Sequence, residues 1–133
     1  MRAAALAGAV AFLLLGGLGL VPGVTTHYGE LRFAGGSHAQ LFGVFRVSIL
    51  LDLVHLAIGA AGVALARTTA GARAFLAGGG TASLVLWLLG ATALGGWLPV
   101  GYADNWLHLA LGVALLGLGI LATREAAVSP ASA

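Results

Sequence analysis

The sequence predicts an all-α fold, a bundle of four transmembrane helices, and three observations predict it. Hydrophobic residues make up 60% of the 133 residues, charged residues only 8%, and the mean hydropathy is +1.05. A soluble domain typically carries about 25% charged residues to hydrate its surface, so lipid has to be the solvent of this chain. Four apolar runs, about 3–21, 41–66, 74–98 and 106–123, each approach or exceed the roughly 20 residues that cross the hydrocarbon as a helix. Barrel strands are about half as long and alternate in polarity.

The first run follows Arg2 and ends at Pro22-Gly23. It reads as a retained helix rather than a secretory signal, because it is long and no small-x-small cleavage site follows. Residues 22–40 are the only sizeable stretch outside the membrane. There Tyr28, Glu30 and Arg32 alternate with Gly29, Leu31 and Phe33, the pattern of a short extended segment, before Gly35-Gly36-Ser37 breaks it. The second run ends at Arg67, the third at Pro99 and the fourth at Arg124-Glu125. Gly78-Gly79-Gly80 lies inside the third run; no Lys-Ser or Lys-Thr follows it, so it predicts close helix packing rather than a phosphate loop. Residues 1–125 form one domain and 126–133 a flexible tail.

Arginine placement sets the orientation. Arg2, Arg67, Arg73 and Arg124 fall at the N-terminus, the second loop and the C-terminus, while Arg32 alone lies in the first loop. Short cytoplasmic loops collect basic residues, so both termini are expected on the cytoplasmic side. The chain has six arginines and no cysteine. Disulfides, thiolate metal sites and cysteine nucleophiles are thereby excluded. The arginines are too scattered for a nucleic-acid surface.

Helix two concentrates the unusual residues. Leu41, Phe45, Ser48, Asp52, His55, Gly59, Gly62 and Ala66 recur in steps of three and four, which places them on one face. Gly59 and Gly62 admit a neighbouring backbone, and Asp52 shares its face with His55. The segment His55-Leu56-Ala57-Ile58-Gly59 is matched by His108-Leu109-Ala110-Leu111-Gly112 in helix four. Gly16-Gly17 with Pro22-Gly23 is echoed by Gly95-Gly96 with Pro99-Val100-Gly101. This is either a duplicated hairpin or coincidence in a chain rich in Gly and Leu. If the hairpins are related, Asp52, His55, Asn105 and His108 form one intramembrane polar cluster, with Gly112 packing as Gly59 does.

The bland reading of that cluster is an interhelical clasp, in which Asp52 or Asn105 hydrogen-bonds a histidine of the other hairpin. The sharper readings are proton or ion handling and, third, haem held by two axial histidines. No further ligands stand at metal spacing, so no metal site is predicted. Loop residues His27 and His38 are expected to be solvated. A hydrolytic arrangement of Ser48, Asp52 and His55 along one straight helix leaves no place for substrate and oxyanion hole, so no catalytic residues are assigned. Arg46 is expected to snorkel or to pair with Glu30 or Asp104. Trp97, Tyr102 and Trp106, with Arg46, serve as anchors at the membrane interface, and Trp87 and Tyr28 are of the same kind.

Ala39-Gln40-Leu41-Phe42-Gly43-Val44-Phe45, Val54-His55-Leu56, Ala66-Arg67-Thr68, Ala70-Gly71-Ala72-Arg73 and Ala103-Asp104-Asn105-Trp106-Leu107-His108-Leu109 resemble a family of small bacterial four-helix membrane proteins catalogued as a domain of unknown function. The resemblance runs from about residue 10 to 124. It implies four transmembrane helices, a bacterial cytoplasmic membrane and no established activity, and it supplies no catalytic residues. It also implies His-Asn where this chain has Leu51-Asp52, which favours hydrogen bonding over charge at that position. The expected function is non-enzymatic: an accessory subunit or small scaffold, with membrane-protein partners or a second copy of itself, and no cofactor. The alternative is a small transporter or proton-handling protein using Asp52, His55 and His108.

Overall fold

The computed structural model describes residues 1–92 and 100–128. In chain order it has α1 (Arg2–Gly19), β1 (Thr25–Thr26), a 3-10 turn (Tyr28–Glu30), β2 (Gln40–Leu41), β3 (Phe45–Arg46), α2 (Ile49–Leu65), α3 (Thr69–Ala91) and α4 (Tyr102–Val128). Three of the four helices, α1, α3 and α4, are long and apolar enough to cross a membrane; α2 is apolar but has 17 residues. α4 runs to Val128, into the stretch 126–133 that the sequence reads as a tail, and residues 129–133 lie outside the described part.

The helix ends follow from local chemistry. The last carbonyls of a helix have no partner within it. At the end of α1 the Thr25 hydroxyl donates to the carbonyls of Leu18 and Gly19 at 3.1 and 3.0 Å. Arg2 Nε donates to the carbonyl of Ala66, just past α2, at 3.0 Å. There the positive charge also complements the helix dipole. Thr68 starts α3, its hydroxyl accepting from the Gly71 amide at 3.0 Å. α3 therefore begins earlier than the apolar run at residue 74.

Two expectations are corrected between α1 and α2. The Tyr28–Phe33 stretch is not extended. His27 takes a left-handed φ of 51°, and Glu30 N donates to the His27 carbonyl at 2.8 Å, which winds the chain into the 3-10 turn. The second correction concerns the apolar run 41–66. Its first residues form an antiparallel hairpin in which Leu41 pairs with Phe45 and Gln40 with Arg46. The hairpin turns through Phe42 and Gly43 at φ 53° and 69°. β1 completes a three-stranded sheet, with Thr25 opposite Leu41 and Thr26 opposite Gln40. Arg46 therefore stands on a strand, and the helical face begins at Ser48 rather than Leu41. A small core of Ala39, Leu41 and Val47, packed on Leu15 and Leu18, seats this sheet against α1.

α1 packs along α2, and α3 along α4. The two pairs share a core of Ala5, Ala9 and Phe12 from α1, Ala72, Phe75 and Leu76 from α3, Leu115 from α4 and Ala66. Large apolar side chains face outward on all four helices, among them Leu14, Leu53, Val85 and Val113, the last 60% exposed. Exposed apolar side chains on every helix suggest a lipid environment.

Candidate functional site

Ser48 caps α2, its hydroxyl accepting from the Leu51 amide at 3.2 Å, and this fixes where the helix begins. Asp52 follows in the first turn and His55 one turn later, both pointing inward and both buried. α1 can approach them because of its small residues. A side chain at Gly19 would collide with the Asp52 carboxylate. A Cβ at Gly16 would lie 2.5 Å from the Asp52 carbonyl oxygen. From α4, His108 comes in from the other pair.

The two histidines meet face to face. The His55 and His108 rings stack with centroids 5.8 Å apart at 20°, and Phe12 of α1 also stacks on His55 at 5.8 Å and 28°. Beside this column lies a cavity of about 20 Å³ lined by Asp52, His55, Asp104 and His108, with Leu15, Leu41 and Phe45 among its apolar walls. One water needs about 10–15 Å³ of such volume, so the cavity has room for one. This volume is far too small for a porphyrin. Among the described residues no group of three or more histidine or carboxylate side chains is placed to hold a metal ion.

The clasp expected from sequence is absent. Both carboxylate oxygens of Asp52, Nε2 of His55 and both ring nitrogens of His108 are buried without a hydrogen-bond partner. The same is true of Asn105 Oδ1 and Ser83 Oγ. Leaving such a group unpaired costs about 1–3 kcal/mol, so this is an expensive concentration of polar atoms.

Asn105 does not join the cavity. Its side chain fills the space beside Gly90 of α3. Asp104 takes the place expected of Asn105 at the cavity wall. Its Oδ2 accepts from the amides of Gly101 at 2.6 Å and Arg46 at 3.0 Å, tying the start of α4 to β3. The pairing of Arg46 with Asp104 thus runs through the Arg46 backbone. Asp104 three residues after Gly101 is a helix-start pattern readable in the sequence. Phe12 was legible too, as the one bulky residue in the α1 stripe Ala5, Gly8, Ala9, Phe12, Gly16, Gly19.

The packing glycines lie at helix contacts. A Cβ on Gly59 would meet Leu13 at 2.6 Å and the Ala9 carbonyl at 2.9 Å, and one on Gly62 would meet Phe75 at 2.6 Å. One on Gly112 would meet Leu84 at 2.6 Å and the Gly80 carbonyl at 3.1 Å. Tyr102 and Trp106 are exposed and packed edge to face, while Trp97 lies outside the described residues. His27 and His38 are exposed and share an open pocket with Glu30.

No curated protein and no solved structure matches the chain. A family model does match it, over residues 2–121, and the chain accordingly belongs to the family described as a domain of unknown function, DUF4383.

Proposed function

We propose that this protein is a non-enzymatic component of the bacterial cytoplasmic membrane, an accessory subunit or small scaffold, with four spanning helices and both termini cytoplasmic. The observation that carries this reading is the apolar outer coat on all four helices, joined to a loop region that holds only two-residue strands and one 3-10 turn. Such a chain has little to offer a soluble substrate and much to offer a neighbouring membrane helix. The arginine distribution supports the orientation. The test is the native mass after extraction in mild detergent, with co-purifying proteins identified. A defined assembly or self-association is expected; a monodisperse monomer with no companion would sink the reading.

A duplicated hairpin is supported by matching contacts. The step in residue number from Gly19 to Gly90 also takes Leu13 to Leu84 and Ala9 to Gly80. A second step takes Asp52 to Asn105, His55 to His108 and Gly59 to Gly112. Each contact of the first pair, Gly19 with Asp52 and Gly59 with Leu13 and Ala9, then has its counterpart in the second, Gly90 with Asn105 and Gly112 with Leu84 and Gly80. We read the bundle as two related hairpins meeting at the stacked histidines.

The unpaired polar atoms favour a second reading, in which Asp52, His55 and His108 handle protons or a small solute. Ionisable groups are costly inside lipid and usually mark a path or a site. Replacing His55 and His108 by apolar residues is expected to abolish a proton or solute flux in liposomes. Flux indifferent to both changes would remove this reading.

A further inference from the structure

We infer that Asp52, His55 and His108 form a proton-binding site in which a carboxylate and two imidazoles share one exchangeable proton across a trapped water. The inference rests on the second reading's premise that the cluster is a site, and it does not require transport. Three observations carry it. The first is chemical. The unpaired atoms comprise two carboxylate oxygens and three imidazole nitrogens, a set that donates or accepts according to where one proton sits. The second is volume: the cavity these side chains line has room for one water, and a water there can bridge groups that do not touch directly.

The third is the comparison of the two hairpins. Asn105 fills the groove beside Gly90 as Asp52 fills that beside Gly19. Packing at this point needs the shape of the side chain and not its charge. Of these two matched positions, 52 and 105, only 52 lines the cavity, and it carries the acid.

Charge counting sets the number of protons. α1 brings Phe12, Leu15, Gly16 and Gly19 to the cluster, none of them ionisable. α2 brings Asp52 and His55; α4 brings His108 and Asp104; β3 brings Arg46. Arg46 and Asp104 are opposite charges at one wall. With neutral imidazoles, the ionised Asp52 leaves one uncompensated negative charge in an apolar interior, which is strongly unfavourable. One proton removes it. A hydronium ion arriving from the loop end gives its proton to the cluster and leaves as water.

The test uses the full chain in lipid vesicles, read by infrared difference spectroscopy across a pH titration. Among the carboxylic-acid carbonyl bands that appear on acidification and shift in heavy water, one component that is lost in Asp52→Asn but kept in Asp104→Asn is the expected result. Asp52→Asn is expected to fold, since an amide already stands at the matching position, 105. In a second variant, His108→Gln, the band's midpoint should move by at least about tenfold in proton concentration. A wild-type spectrum with no component that Asp52→Asn removes overturns the inference, as does a midpoint of that component indifferent to His108→Gln. Titration without flux in the same vesicles would support the site and discard transport. Flux without titration would do the reverse.

Discussion

Ser48 and Asp104 do related work at the starts of two helices. The Ser48 hydroxyl accepts one amide at the head of α2, and the Asp104 carboxylate accepts two, one of them from β3. Removing the first with Ser48→Ala should cost about 1 kcal/mol. Asp104→Ala should cost about 1–3 kcal/mol, because two amides lose their acceptor. Asp104→Asn, which keeps one oxygen, should cost less. Unfolding in a denaturing-detergent titration ranks the three. Asp52 and His55 were legible as a pair because one helix presents both. The partner across the interface was harder. Residues three and four before His108 lie on nearly the same side of α4, so Asn105 and Asp104 are equally plausible from spacing alone. The choice is made by Gly90, which leaves room for the amide, and by the Arg46 amide, which draws the acid. Neither neighbour is adjacent in sequence.

At the scale of elements, the glycines separate into those that hold helices together and those that do not. Gly59→Ala and Gly112→Ala each force a methyl group against a neighbouring side chain and backbone carbonyl, and each is expected to destabilise by about 1–3 kcal/mol. Gly17→Ala and Gly78→Ala meet nothing within 4 Å. They should be neutral or stabilise by up to about 1 kcal/mol through helix propensity. Equal unfolding midpoints for all four variants would contradict this packing scheme. Hydropathy located the helices well because an apolar run is a direct demand of lipid. It misplaced the start of α2 because Leu41, Phe42, Val44 and Phe45 are as apolar as the helix they precede. The turn at Phe42-Gly43 and the cap at Ser48 were the available signals, and both were outweighed by composition.

For the molecule as a whole, the proposed orientation has a simple check, since the chain contains no cysteine. Single cysteines at Thr68 and at His38 are expected to react with an impermeant thiol reagent from opposite sides of the membrane. Labelling of both from one side would refute the four-span topology. The histidine stack and the shared core draw on both hairpins, so hydropathy revealed the elements without revealing how they meet.

α2 has one further consequence at this scale. Its 17 residues make a rod of about 25 Å, against a hydrocarbon layer of about 30 Å. The β2–β3 hairpin that precedes it exposes Phe42 and Val44, so apolar surface continues beyond the helix start. In the proposed four-span topology, stability should therefore depend on bilayer thickness. A short-chain lipid matches the helix and leaves the sheet in the headgroups. A long-chain lipid draws the sheet, and the wall of the polar cavity with it, toward the oil. Stability measured across a series of acyl lengths should therefore peak in thin bilayers.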